Sequence, residues 1–350
     1  MTSPYGVTRA ELTELLGSEP RYRVDQVMHG LWDEGLALEE ITTVPRALRA
    51  RLASALPPSL VVAADVSSDR GMTRKWVFRL GDGATIETVL MGYEDRVTVC
   101  VSSQAGCAMG CTFCATGQAG FTRQLSVGEV LEQVMVAARA AAPRRLSNVV
   151  FMGMGEPLAN YAVTVAALTR LHEYLGLGTR HLTVSTVGVA PAIERLAREG
   201  LPLTLAVSLH AANDATRDEL VPLNRRYPLE RLRAACSYWV ATTSRRLSLE
   251  WALIDGVNDG AAASRELAEF ALPLGAHVNL IPLNPTPGFL VRGSSSERVR
   301  EFRDSLAARG VNVTVRHTRG RSIDAACGQL AAVTRGRHRS IPLRSGSSPG

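Results

Sequence analysis

The chain has 350 residues, 46% of them hydrophobic, enough for one sizeable core and a small accessory unit. Its net charge is +6, and Lys75 is the only lysine among 39 basic residues, so the positive surface is arginine, which suits bidentate phosphate contact and argues against lysine Schiff-base chemistry. No apolar run is long enough to span a bilayer and no signal peptide is read at the start; with six cysteines, the expectation is a cytoplasmic protein with no membrane partner.

Thr8 and Glu11 form a capping-box pattern opening a short helix that ends near Gly17. A second helix is predicted over 24–32, and a third from Pro45 through Leu48, Leu52 and Leu56. Residues 1–64 therefore read as a small N-terminal helical domain. Its Arg21, Arg23, Arg46, Arg49 and Arg51 suit phosphate contact or plain solvation. From Ser67 the pattern changes to a β-hairpin, with strands predicted over 75–80 and 85–91 about Gly81-Asp-Gly83.

Strand-like runs follow at 97–102, 148–154, 181–186, 203–209, 247–254, 277–283 and 311–316. Helical patterns lie between them, such as Val127, Val130, Leu131, Val134 and Ala138. This alternation means parallel strands with crossover helices. Six such units and one extra strand predict an α/β fold, an open, partial version of the eight-stranded barrel. The core with its leading hairpin is placed at 65–335, and 336–350 reads as a flexible basic tail.

In parallel barrels the chemistry gathers at the C-terminal ends of the strands. Cys107 follows the first strand here, and Gly155, Glu156 and Pro157 follow the second. Ser185 lies late in the third, Ser208 and His210 close the fourth, and Asn284 closes the sixth. Singly, Ser185 reads as a cap and His210 as a core histidine; at one shared mouth they point to a ligand site.

The densest signal is Cys107-Ala-Met-Gly-Cys111-Thr-Phe-Cys114. A structural zinc ion wants four ligands, and no fourth stands nearby. A cubane 4Fe-4S cluster is held by three thiolates with one iron left open to a small molecule. Among the other cysteines, Cys236 falls in a helical run as a small hydrophobe, Cys100 in the first core strand, and Cys327 in a Gly-flanked loop near the mouth.

The three-then-two cysteine spacing resembles the cluster loop of the radical S-adenosylmethionine (SAM) superfamily. Val99-Cys-Val-Ser-Ser-Gln-Ala-Gly-Cys107, Phe151-Met-Gly-Met-Gly-Glu-Pro157, Ser208-Leu-His210, Asn279-Leu-Ile-Pro-Leu-Asn-Pro285 and Asp324-Ala-Ala-Cys-Gly-Gln-Leu330 together resemble the RlmN/Cfr family of RNA adenosine methyltransferases. The likeness runs from about Arg21 to Ala332.

The resemblance implies a partial (β/α)6 radical SAM barrel and a 4Fe-4S cluster on Cys107, Cys111 and Cys114, with SAM at the open iron. Gly155 and Glu156 would bind the SAM amino group, and Ser185, Ser208, Leu209, His210 and Asn284 would line the rest of its site. Cys327 would carry a methyl group as S-methylcysteine, loaded by one SAM and stripped of a hydrogen by a radical from a second. Glu87, by its own pattern a carboxylate on an exposed strand face, would be the proton acceptor. Cys100 would be the resolving thiol, forming a disulfide with Cys327. Such a route suits carbons 2 and 8 of adenine, which are too electron-poor to attack a methyl donor directly.

The expected activity is methylation of carbon 2 of an adenosine in 23S rRNA, with tRNA as a second substrate. A flavodoxin or ferredoxin would serve as electron donor and the chain would act as a monomer. Carbon 8 methylation of the antibiotic-resistance branch and a non-catalytic iron–sulfur RNA-binding protein are the alternatives. Departures from the family pattern are Val187, where a small residue is expected, the loop 288–293, which lacks a tyrosine, and a loosely matching N-terminal domain. They bear on the RNA target more than on the SAM chemistry.

Overall fold

The structure, a computed structural model, describes residues 3–178, 180–284, 286, 291–316, 320, 323–325 and 328–330. Three helices come first: α1 (Arg9–Leu16), α2 (Tyr22–Trp32) and α3 (Arg46–Ala55). The predicted capping box forms on α1. Thr8 Oγ1 accepts from the N–H of Glu11 at 3.2 Å, and the Glu11 carboxylate accepts from the N–H of Thr8 at 2.7 Å. Pro45 precedes α3 as its cap, one residue outside the helix. The helices share a buried apolar cluster with the core, where the Trp32 ring meets Tyr5 at 5.5 Å and Tyr174 at 4.9 Å.

Four antiparallel strands follow: β1 (Leu60–Ser68), β2 (Thr73–Leu80), β3 (Thr85–Gly92) and β4 (Val97–Cys100). The hairpin of β2 and β3 was predicted, whereas β1 begins within the stretch read as helical domain. Most of β1 is exposed on both faces, so its sequence shows no alternation to read.

Next, β5 (Gln104–Gly106), α4 (Ala115–Ala119) and β6 (Phe121–Gln124) bracket the cysteine loop, with β5 and β6 pairing as a separate small sheet. Helix α5 (Val127–Ala141) is opened by a second capping box, Ser126 with Glu129. The alternation then runs β7 (Asn148–Phe151), α6 (Tyr161–Leu175), β8 (Leu182–Thr186), α7 (Ala190–Arg198), β9 (Thr204–Ser208), α8 (Asp214–Leu220), α9 (Leu229–Thr243), β10 (Leu247–Leu253), α10 (Ala261–Ala271), β11 (His277–Pro282), α11 (Ser296–Ala308) and β12 (Asn312–Val315).

The main sheet has the order β1-β2-β3-β4-β7-β8-β9-β10-β11-β12, and every pairing from β4 to β12 is parallel. The partial barrel predicted from the strand and helix alternation is the fold. Its central strands are buried, β10 at every residue, as parallel strands covered by helices must be, while the edge strand β12 is part exposed. Gln133 of α5 ties the antiparallel and parallel portions together. Its side-chain oxygen accepts from Thr88 Oγ1 and from the N–H of Ser102, both at 2.8 Å, and its Nε2 donates to the Ser102 carbonyl at 3.0 Å. No helix among the described residues is long and apolar enough to cross a membrane.

Candidate active site

A cavity open to solvent lies at the C-terminal ends of the parallel strands. Of the residues expected in the site, Cys111, Cys114, Gly155, Glu156, Ser185, Ser208, His210 and Asn284 line it. Leu209 is fully buried beside it, its N–H donating to the Glu250 carbonyl at 3.0 Å.

The cysteine loop is held at both ends. The N–H of Cys107 donates to the Gly120 carbonyl at 2.8 Å, and the N–H of Thr112 to the Leu220 carbonyl at 3.1 Å. Gly106 makes the first contact feasible. Its φ is +76°, and a Cβ there would lie 2.0 Å from the Gly120 oxygen. Burial pushes the Cys107 thiol up to about 12 and that of Cys111 well above its usual range, and the neighbouring cysteine charges raise both further. Thiols raised in this way hold their charge only beside a cation. Among the described residues no His, Cys, Asp and Glu set is placed to hold a single metal ion. An all-sulfur donor set fits a cubane instead, where each thiolate binds a different iron.

Glu156 is 2% exposed, and burial raises its carboxyl to about 7. Its oxygens accept from the N–H groups of Leu158 at 2.9 Å and Val187 at 2.8 Å, which fixes the carboxylate against two walls of the cavity. The Thr186 side chain adds a third hydrogen bond to the carboxylate, which has about four acceptor positions and so can still meet a ligand ammonium. Gly155 before it has a φ of +99°, and a Cβ there would meet Gln104 at 2.5 Å, so backbone alone fits. Across the cavity, Ser185 Oγ and Ser208 Oγ stand 3.4 Å apart.

His210 is buried, and desolvation lowers its ring to about 3, so the imidazole is neutral. Nδ1 accepts from the N–H of Ala252 at 3.0 Å, which assigns the proton to Nε2. The Phe113 ring packs edge-on at 4.7 Å, linking His210 to the cysteine loop.

Sequence reasoning missed Arg217, Glu250 and Arg316. Glu250 and Arg316 line the cavity. Arg217, in α8, is 1% exposed, and it donates to the carbonyls of Val187 at 2.7 Å and Leu209 at 3.0 Å and to Asn224 Oδ1 at 2.8 Å. It joins the ends of β8 and β9. On a short polar helix this arginine looks like any solvated one, so only the acceptors brought by the fold reveal it.

The hairpin brings a second group of residues together. Lys75 pairs across the sheet with Val89, and Val89 with Cys100, so these side chains share one face, with Glu87 two residues along from Val89 on the same side. Glu87 is only 2% exposed and its carboxylate lies 3.1 Å from the Lys75 ammonium. The exposed strand face expected for Glu87 is thus corrected: the side chain is buried beside Lys75, whose Nζ also donates to the Asp324 carbonyl at 3.2 Å.

Cys327, the tail 336–350 and positions 287–290 of the variable loop lie outside the described residues. The described neighbours of Cys327 are placed closely. Asp324 meets Lys75, the Gly328 carbonyl accepts from the N–H of Ala115 at 2.9 Å, the Leu330 carbonyl accepts from Thr116 Oγ1, and Gly328 and Leu330 line the cavity. No disulfide joins any two of the described cysteines, and Cys236 is buried in α9 as a small hydrophobe.

The radical SAM superfamily matches residues 101–268. A protein of Frankia alni named as a dual-specificity RNA methyltransferase RlmN is 53% identical over 95% of this chain and 83% of its own. One of the same name from Chloroflexus aurantiacus is 49% identical over 97% of this chain and 94% of its own. The crystal structure of a radical SAM methyltransferase from Sphaerobacter thermophilus superposes with a TM-score of 0.92 at 50% identity, covering 95% of this chain and all of that one. At about half identity over nearly its whole length, and with the fold of the crystal structure, the chain belongs to the RlmN family of RNA methyltransferases within the radical SAM superfamily.

Proposed function

We propose that the enzyme methylates carbon 2 of an adenosine in 23S rRNA, and also in tRNA, through a methyl group carried on Cys327. The observation that supports this most is the placement of the described residues around Cys327. Asp324 reaches the Lys75 and Glu87 pair, and Gly328 reaches Ala115, next to the loop cysteines.

Cys107, Cys111 and Cys114 hold the 4Fe-4S cluster. Gly155 and Glu156 take the SAM amino group, and Ser185, Ser208, His210 and Asn284 surround the rest, with Leu209 as buried support. When bound, cluster and SAM supply one-electron chemistry that no side chain provides. Glu87 accepts the ring proton of the protein–RNA adduct, whose unpaired electron passes to a one-electron acceptor of the iron–sulfur or flavin class. Cys100 then attacks the Cys327 sulfur. The S–S bond forms as the C–S bond breaks, and the electron pair leaves on the methylene carbon, which takes up a proton.

Residues 1–64 serve as an accessory domain for RNA, 65–335 as the catalytic core and 336–350 as a basic tail. A flavodoxin or ferredoxin feeds a monomeric, cytoplasmic enzyme. The test is mass spectrometry of digested rRNA and tRNA from deletion and complemented cells. The expected result is 2-methyladenosine restored in both. Appearance of 8-methyladenosine would assign the enzyme to the resistance-type reaction, and no change in either base would refute the proposal.

A further inference from the structure

We infer that Glu250 is a binding residue for the ribose of SAM, one of its carboxylate oxygens accepting a hydrogen bond from a hydroxyl of that sugar. This rests on the SAM site proposed above. Glu250 is 4% exposed and lines the same cavity as Ser185 and Ser208. In the sheet it stands level with Ser208 of β9 and Asn279 of β11, so these side chains share the face on which the cavity lies.

The carboxylate is held from one side. Asn279 Nδ2 donates to Oε1 at 2.8 Å. The amide is kept in that sense because its own oxygen accepts from Thr314 Oγ1 at 2.7 Å and stands 3.0 Å from His277 Nε2. The main chain is fixed as well, since the Glu250 carbonyl accepts from the N–H of Leu209 at 3.0 Å. The other oxygen, Oε2, is buried with no hydrogen-bond partner. A buried acceptor without a donor is rare in a folded protein, and one that belongs to a cavity wall is satisfied by what the cavity binds.

The surroundings select the donor. Burial raises the Glu250 carboxyl, and Arg316 is foremost among the groups that oppose this. With that positive charge at hand the site does not call for a cation, which leaves neutral hydroxyl and amino groups. An adenine amino group lies beside a ring-nitrogen acceptor and wants a donor next to its acceptor, but the Asn279 amide is turned to Oε1. A sugar hydroxyl needs less. It gives its proton to Oε2 and takes one from Ser208, whose Oγ stands 3.4 Å from Ser185 Oγ. Glu250 is also three strands from β7, the strand that leads to Glu156, or about 14 Å along the sheet. One SAM molecule with its amino group at Glu156 therefore meets Glu250 with its nucleoside.

The experiment reads binding rather than turnover. Full-length wild type, Glu250→Gln and Asn279→Ala are reconstituted anaerobically with iron and sulfide, and iron content is measured on each. Without reductant they are titrated with S-adenosylhomocysteine, its 2′-deoxy and 3′-deoxy analogues, and the analogue lacking the adenine amino group. Wild type is expected to bind one of the deoxy analogues about tenfold more weakly than the parent, the effect of one hydrogen bond to a charged group. Glu250→Gln is expected to bind the parent about tenfold more weakly and to lose nothing further with that deoxy analogue. Asn279→Ala, which releases Oε1, is expected to show part of the same loss. Wild type binding all four ligands alike would overturn the inference without any variant. So would Glu250→Gln binding the parent as wild type does, or losing affinity equally for every ligand, which is what a structural role produces. A loss in wild type confined to the analogue without the amino group would place the adenine at Glu250 and overturn it too. Failure of iron-loaded wild type to bind the parent would refute the SAM site itself, and the inference with it.

Discussion

The N–H of Ala115 donates to the carbonyl oxygen of Gly328 at 2.9 Å, joining the residue after Cys114 to the residue after Cys327. Ala115 is the first residue of α4, where proline is tolerated because that N–H has no partner inside the helix. Cys114 before it is extended (φ −106°, ψ 121°), as a residue preceding proline prefers. Ala115→Pro therefore deletes this bond while keeping the backbone shape, though its ring adds two carbons to a buried position. Loss of about 1 kcal/mol of tethering should slow RNA methylation roughly fivefold. Iron content, measured on the same preparation, should stay at the wild-type level.

Gly106 separates space from strain. Gly106→Ala combines a positive φ with a Cβ 2.0 Å from a backbone oxygen, so the small sheet around the cysteine loop must open. A stability loss above about 3 kcal/mol and loss of bound iron are expected. Gly17→Ala also has a positive φ, of 62°, but meets nothing within 4 Å, and should cost only about 1 kcal/mol in the same thermal denaturation series.

Two buried groups in the site give opposite pH dependences. The His210 ring, lowered to about 3, contributes stability that is fully present above its unfolded value of 6.5 and is lost as pH falls from there toward 3. Glu156, raised to about 7, is the reverse: its contribution is complete below 4.5 and disappears as pH rises through 7. Thermal midpoints of the cofactor-free protein should therefore fall less steeply on acidification in His210→Gln than in wild type. They should also decline less between pH 5 and 8 in Glu156→Gln. Each contribution is on the order of several kcal/mol at most. Profiles parallel to wild type in both variants would contradict the assignments.

The carrier and the resolving thiol should fail differently. Cys327→Ala should show neither S-methylation nor methylated RNA. Cys100→Ala should load its methyl group normally and then stall as a covalent adduct with RNA, visible on a denaturing gel. Full turnover by Cys100→Ala would remove its role, since Cys100 sits on the Lys75 face of the hairpin solely by the strand register.

The barrel was legible because parallel strands covered by helices read as short, largely apolar runs, such as Val149 to Phe151 in β7 and Leu203 to Val207 before and along β9. The strand-end residues were legible by the same logic, since the runs stop where the cavity begins. β1 was not, because an exposed edge strand carries no alternation. The small sheet of β5 and β6 was too short to announce itself, though Gly106 and Gly120 marked its corners. Glu87 was misplaced for a different reason. Local alternation gives it a face but not its surroundings, and Lys75 beside it is met by the Asp324 carbonyl, 249 residues away in sequence. Arg217 was invisible because its acceptors, Val187 and Leu209, come from other elements.

The most direct test follows the methyl group itself. The enzyme is supplied with SAM whose methyl carries three deuterium atoms, and the methyladenosine formed is weighed. Transfer through Cys327 removes one deuterium before the carbon reaches the ring and adds one solvent hydrogen when the C–S bond breaks, so the product methyl should hold two deuterium atoms. A product methyl retaining all three would mean direct transfer from SAM to RNA and would contradict the account.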